Sequence, residues 1–201
     1  MSDADSLDRF EPRFIPHVAS VEGTFGSVGS DERTEQALRR HLERTDPATG
    51  LANRLVLVEL LRSVAAPPSP QELVPGVLIG VDDLLRQGGL GRNSDRLEVL
   101  AELGRFIAEA LPEGAIAAAI AEGVILVLFP GRPVSRAQAA GARMRALWLR
   151  RGWAVRTIGR PSLSVEVTPV PVAAVGGGWL DRLVERCRTD ANTPKTFRQA
   201  G

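Results

Sequence analysis

Residues able to do chemistry are few in this sequence, and they do not converge. His17 and His41 are the only histidines, and neither sits in a pattern with Ser, Cys or Asp that would make a nucleophile, base and orienting group. No His/Cys spacing suits a metal. Cys187 is the single cysteine, which excludes an internal disulfide. Its neighbours Leu183 and Val184 mark it as a small core residue of a helix rather than a reactive thiol. Asp82 and Glu122 could offer carboxylate oxygens to a hard cation. They read instead as a solvated residue at a strand end and a residue of a hairpin turn. Gly88-Gly89-Leu90-Gly91 is glycine-rich but lacks the strand-to-helix fingerprint of a phosphate loop. Arg143, Arg145, Arg150, Arg151, Arg156 and Arg160, with Trp148 and Trp153 among them, form a basic stretch. A solvated helix face, a protein-binding patch and a site for nucleic acid or an acidic ligand are its three readings. The most specific run is Asp46-Pro47-Ala48-Thr49-Gly50-Leu51-Ala52-Asn53-Arg54, because helix propensity does not require Thr-Gly-Leu followed by Asn-Arg.

The elements that must position these residues belong to a globular chain. Of 201 residues, 44% are hydrophobic and 24% charged, with a net charge of +1. That balance excludes a disordered chain, and it points to neither nucleic acid nor an anionic membrane as partner. No run is long enough to cross a bilayer and no signal peptide opens the chain, so the expected location is the cytoplasm, without membrane insertion.

Residues 1–30 carry Phe10, Phe14, Ile15 and Phe25 without a clean period and read as an arm. Residues 31–44 form a charged helix capped by Ser30, with Leu38 on its apolar side. A helix from about Asn53 to Ala65 is apolar nearly all round and should be buried. Val74 to Val81 fits a buried strand, and Leu100, Leu103, Ile107 and Leu111 stripe a helix from about 94 to 111. Ala115–Ile120 and Val124–Phe129 form a hairpin about Ala121-Glu122-Gly123. Ser135 and Gln138 make a capping box for a helix with Ala140, Met144, Leu147 and Trp148 on its core face. Leu163, Val165 and Val167 alternate with Ser164, Glu166 and Thr168, as in a half-buried strand. A helix from Trp179 to about Thr189 closes the domain, leaving a tail from 191.

The run Asp46–Arg54 resembles the opening motif of GGDEF domains, D-x-L-T-G-L-x-N-R, and departs from it only at Ala48. The rest falls into that family's frame over roughly residues 31–190, without insertion or deletion from the first strand through the hairpin. Gly80-Val81-Asp82-Asp83-Leu84 stands where the family has D-x-D-x-F. Ala121, Glu122, Gly123, Val124 and Ile125 occupy the signature itself. The resemblance implies an α+β palm of the GGDEF/adenylyl-cyclase type, with a mainly antiparallel five-stranded sheet flanked by helices.

The same resemblance implies loss of chemistry. A diguanylate cyclase needs metal carboxylates and charge neutralisation around a triphosphate. Its two metal positions are Gly80 and Val124 here. Its guanine-reading Asn and Asp are matched by Gly88 and Leu97, and its Lys by Leu85. Its inhibitory R-x-x-D site for cyclic di-GMP is matched by Pro112-Glu113-Gly114-Ala115. Asp82 matches the acid that is not a metal ligand. The expectation is a catalytically inactive GGDEF domain with no cofactor. It would act as a protein-interaction module in bacterial signalling linked to cyclic di-GMP, with another signalling protein as partner and a homodimer left open. The alternative is a receptor for GTP or cyclic di-GMP without turnover. Phe10, Phe14, Leu38, Arg143, Trp148, Arg150 and Arg151 are the candidate contact residues.

Overall fold

The computed structural model describes residues 43–64, 73–86, 93–152, 161–172 and 178–192, all within the unit Ala37–Gly201. The arm, most of the helix expected at 31–44, and with them Phe10, Phe14 and Leu38, lie outside the described residues.

In chain order the elements are β1 (Ala52–Asn53), α1 (Arg54–Val64), β2 (Leu73–Val81), α2 (Asp82–Leu85), α3 (Asn93–Ala110), β3 (Ile116–Ala121), β4 (Val124–Leu128), α4 (Val134–Arg150), β5 (Leu163–Pro171) and α5 (Trp179–Asn192). The five strands make one sheet in the order β1-β3-β4-β2-β5. All neighbours are antiparallel except the edge pair β1 and β3, where Ala52 and Asn53 run beside Ala118 and Ala119. The architecture is α+β, as the sequence led us to expect.

Strand alternation sorts the core onto two faces. Val77, Ile79, Val81, Ile125 and Val127 face Leu103, Phe106 and Ile107 of α3 and Ala137, Met144 and Trp148 of α4. Leu78, Ala118, Leu126 and Leu128 share the opposite layer with Leu57 and Leu61 of α1 and Leu180, Leu183, Val184 and Cys187 of α5. With both faces covered, β4 is buried throughout, a continuous apolar run rather than an alternating one.

The same covering explains several departures from expectation. Helix α1 rests one side on the sheet, so Leu57 and Leu61 are buried while Leu55 is exposed; its apolar sequence is not matched by burial all round. Thr168 was expected on the open face of its strand, but it is buried because that face of β5 runs on beneath the layer of α1 and α5 together with Val170 and Val172, while Pro169 on the other face is exposed. Leu147 is partly exposed rather than core. Helix α4 starts at Val134 after Pro133, with no side-chain cap. Ser135 is therefore already inside the helix, and the expected capping box does not form. Helix α5 continues to Asn192, two residues into the expected tail.

Candidate functional site

The opening motif folds into a compact loop on its own hydrogen bonds. Asp46 Oδ2 accepts from the Thr49 amide at 2.9 Å and from the Thr49 hydroxyl at 2.7 Å. The Asp46 amide donates to the Leu51 carbonyl, and Gly50 donates back to the Asp46 carbonyl. Gly50 has φ +71°, the left-handed region that a side chain disfavours. Asn53 Oδ1 accepts from the Val56 amide at 3.1 Å, capping α1, while its Nδ2 donates to the Glu43 carbonyl. Arg54 grips Asp181 of α5 through both carboxylate oxygens at 2.5 and 3.0 Å. Every retained polar residue of the motif therefore has a structural task.

The positions aligned with metal carboxylates meet across the sheet. Gly80 of β2 and Val124 of β4 are register partners. Val124 is 0% exposed, in the apolar layer with Leu85 and Cys187. A Cβ on Gly80 would lie 2.7 Å from Ser164 Oγ and 3.2 Å from Leu85 Cδ1. Ser164 donates that hydroxyl to the Gly80 carbonyl at 3.1 Å. Leu85, aligned with the Lys, is buried in the same place.

The hairpin turn is covered from the same side. Gly123 has φ +71°, and a Cβ there would lie 3.1 Å from Leu84 Cβ. Its carbonyl accepts from the Val81 amide. Glu122 is exposed and takes two hydrogen bonds from Arg96 of α3, at 2.7 and 2.9 Å. It is a turn residue, as expected. The break in register between Ala119 and Ala121 places a bulge just before the turn.

Asp82 corrects the sequence reading. It is 1% exposed rather than solvated. Helix α2 starts directly at the end of β2, and the segment entering β5 closes over it. Ser162 donates its hydroxyl to Asp82 Oδ2 at 3.1 Å and its amide to Asp83 Oδ2 at 2.7 Å. Arg86 Nε donates to the Ala191 carbonyl at the end of α5. Among the described residues no group of three or more His, Cys, Asp or Glu could hold a metal ion.

Leu97 is exposed on α3, and Gly88 lies outside the described residues. Pro112 and Ala115 form a tight turn between α3 and β3, closed by the Ala115 amide donating to the Pro112 carbonyl.

Two residues of the basic stretch are structural rather than available for contact. Trp148 is 2% exposed, packs edge-on to Phe106 at 5.0 Å between ring centroids, and donates its indole N–H to the Pro161 carbonyl. Arg151 pairs with Glu102 at 2.6 Å and Glu109 at 2.5 Å and sits over the Phe106 ring. These carboxylates hold the Arg151 guanidinium well above its ordinary range, and Arg151 in turn lowers Glu109. Arg143 and Arg150 remain exposed. Trp153, Arg156 and Arg160 lie outside the described residues. Burial pushes the Cys187 thiol up to about 11, in keeping with a core cysteine.

Comparison with solved structures finds the same fold in GGDEF domains. The FimX GGDEF domain from Pseudomonas aeruginosa matches with TM-score 0.55 and 20% identity, over 74% of this chain and 93% of that one. The coiled coil and GGDEF domain of DgcB from Caulobacter crescentus, in complex with c-di-GMP, match with TM-score 0.59 and 16% identity, over 80% and 90%. Diguanylate cyclase SiaD from Pseudomonas aeruginosa, in complex with its activator SiaC, matches with TM-score 0.55 and 22% identity. There the match covers 80% of this chain and 63% of that one. No protein-family model and no curated protein matches. The chain has the GGDEF-like fold; at these identities the likeness reaches no further than fold.

Proposed function

We propose that this chain is a non-enzymatic GGDEF-fold module that acts by binding another protein in bacterial signalling linked to cyclic di-GMP. One observation carries the reading. The two positions where cyclase chemistry would need metal carboxylates are a glycine and a fully buried valine, facing each other in register. Ser164, Leu85 and Cys187 occupy the space around them. Neither position offers a hard divalent cation a carboxylate. The fold is kept while its usual chemistry has no residues to run on, and fold alone does not confer activity. The SiaD structure supports the binding half, since a diguanylate cyclase of the same fold is there in complex with its activator.

The test is incubation of the full chain with GTP and magnesium or manganese, followed by chromatography for cyclic di-GMP. The expected result is no product. Turnover that survives stringent purification would overturn the reading. A thermal-shift series with GTP and cyclic di-GMP accompanies it, because a ligand of the native state raises its melting temperature. A clear shift without turnover would turn the assignment toward a nucleotide receptor.

A further inference from the structure

Charge in this chain is segregated. Between Gly123 and Val165 the sequence has eight Arg and no Asp or Glu, although the chain as a whole is at net +1. Helix α4 is the centre of this stretch. Outside this stretch many described Arg side chains are tied to acids: Arg44 to Glu59, Arg54 to Asp181, Arg96 to Glu122, Arg105 to Glu102, Arg186 to Glu166; within it, Arg151 is tied to Glu102 and Glu109. Arg136, Arg143 and Arg150 have no acidic partner among the described residues, and all three are exposed.

Their spacing is regular. Seven residues advance an α-helix by about 10.5 Å and return to within about 20° of the same direction. The three guanidinium groups therefore stand in one row on the exposed side of α4, bordering buried Ala140 and turned away from buried Ala137, Gly141, Met144 and Trp148. Ala139 and Ala146 are exposed beside the row. The result is a seam of long cations alternating with methyl groups. Small residues let a second helix approach closely, and Arg presents a fork that matches a carboxylate.

We infer that the outer face of α4 is a docking surface for an acidic helix of a partner protein, with carboxylates spaced to meet Arg136, Arg143 and Arg150. This deepens the function proposed above and rests on it. Charge complementarity selects the partner's sign. The heptad row and its alanines select a helix over a phosphate backbone, which would be met as well by any cluster of cations.

Fluorescence anisotropy with the full chain tests the inference. The probe is a labelled synthetic helical peptide with Glu repeated every seven residues on an alanine-rich frame. Controls are its scrambled form of equal charge, a 20-base-pair DNA duplex, and phosphatidylglycerol vesicles. The patterned peptide is expected to bind best. Reversing the row (Arg136→Glu, Arg143→Glu, Arg150→Glu) should weaken it about tenfold or more. A charge-matched control (Arg62→Glu, Arg182→Glu, Arg188→Glu) should leave it nearly unchanged, with circular dichroism confirming that both variants fold. Equal loss in the two variants, equal binding of the scrambled peptide, preference for DNA or vesicles, or no binding at all would overturn the inference. None of these outcomes bears on cyclase activity. Formation of cyclic di-GMP would overturn only the preceding section's reading.

Discussion

Gly104 of α3 faces the Thr49 carbonyl so closely that a Cβ at position 104 would lie 1.8 Å from that oxygen. The atom it would strike is backbone, held by the Asp46–Thr49 hydrogen bonds. The opening loop and the long helix are thus fitted to each other at a point where no side chain can enter. Gly104→Ala must push loop and helix apart. It should destabilise the domain by about 2–4 kcal/mol, even though alanine is the better helix former. Urea unfolding followed by circular dichroism measures the loss; a neutral or stabilising outcome would refute the fit.

Restoring acids at the two aligned positions should not restore chemistry. Val124→Glu places a carboxylate in a layer of Leu85, Cys187 and Leu126 with no cation to meet it. The expected cost is about 3 kcal/mol or more. With Gly80→Asp added, Ser164 Oγ and Leu85 must also give way. The double variant is expected to melt well below the wild type and to form no cyclic di-GMP. A stable double variant with turnover would contradict both statements.

Adjacent arginines should differ sharply. Arg151 holds Glu102, whose side chain is 4% exposed, and so ties the end of α4 to α3. Arg150 projects outward. Arg151→Ala leaves Glu102 buried with Arg105 as its remaining ion pair and should cost about 1–3 kcal/mol, whereas Arg150→Ala should fall within about 0.5 kcal/mol of wild type. Equal effects in denaturant titration would mean that the Glu102 pairing does not brace the two helices.

Stability should fall on both sides of neutral pH for separate reasons. The thiol of Cys187 titrates near its ordinary 9.0 when unfolded and near about 11 when folded. The native state therefore holds its proton longer. Stability from this group is present below about 9 and declines as pH rises toward about 11. On the acid side Arg54 lowers Asp181 and Arg151 lowers Glu109. Those contributions are present above the ordinary carboxylate range and are lost as pH falls through the lowered values. Denaturation curves across pH should show the alkaline decline in wild type and a shallower one in Cys187→Ala; identical declines would place it on another group.

The frame was legible because long buried strands and a glycine hairpin leave strong local signals. Val77 to Val81, Val124 to Leu128 and the turn at Gly123 sit where the residues led us to expect them. What was missed had little length or only tertiary cause. Two residues, Ala52 and Asn53, cannot show strand periodicity, so the parallel edge strand was invisible inside the opening motif. Helix α2 is one turn long. Asp82 is hidden by Ser162, eighty positions away in sequence, and no local pattern announces such a cover. Arg151 was grouped with exposed arginines by proximity in sequence, and Trp148, although placed on the core face of its helix, was grouped with them as well. On a helix that proximity spreads residues around the axis, and only packing against Phe106 and Glu102 sorts them. Within the site, the absence of acids at positions 80 and 124 could be read directly from the sequence. The filling of that space by Ser164, Leu85 and Cys187 could not.

The clasp between Arg54 and Asp181 has a consequence for synthesis of the protein. Leu57 and Leu61, from α1, share an apolar layer with Leu180 and Leu183, from α5. During translation that layer has nothing to close it until α5 has left the ribosome. One side of the sheet can be sealed by α3 and α4 while the other stays wet. The nascent chain therefore passes through a half-built stage with Leu78, Leu126 and Leu128 uncovered, and its window for aggregation or chaperone capture closes only with the emergence of Leu180 and Leu183.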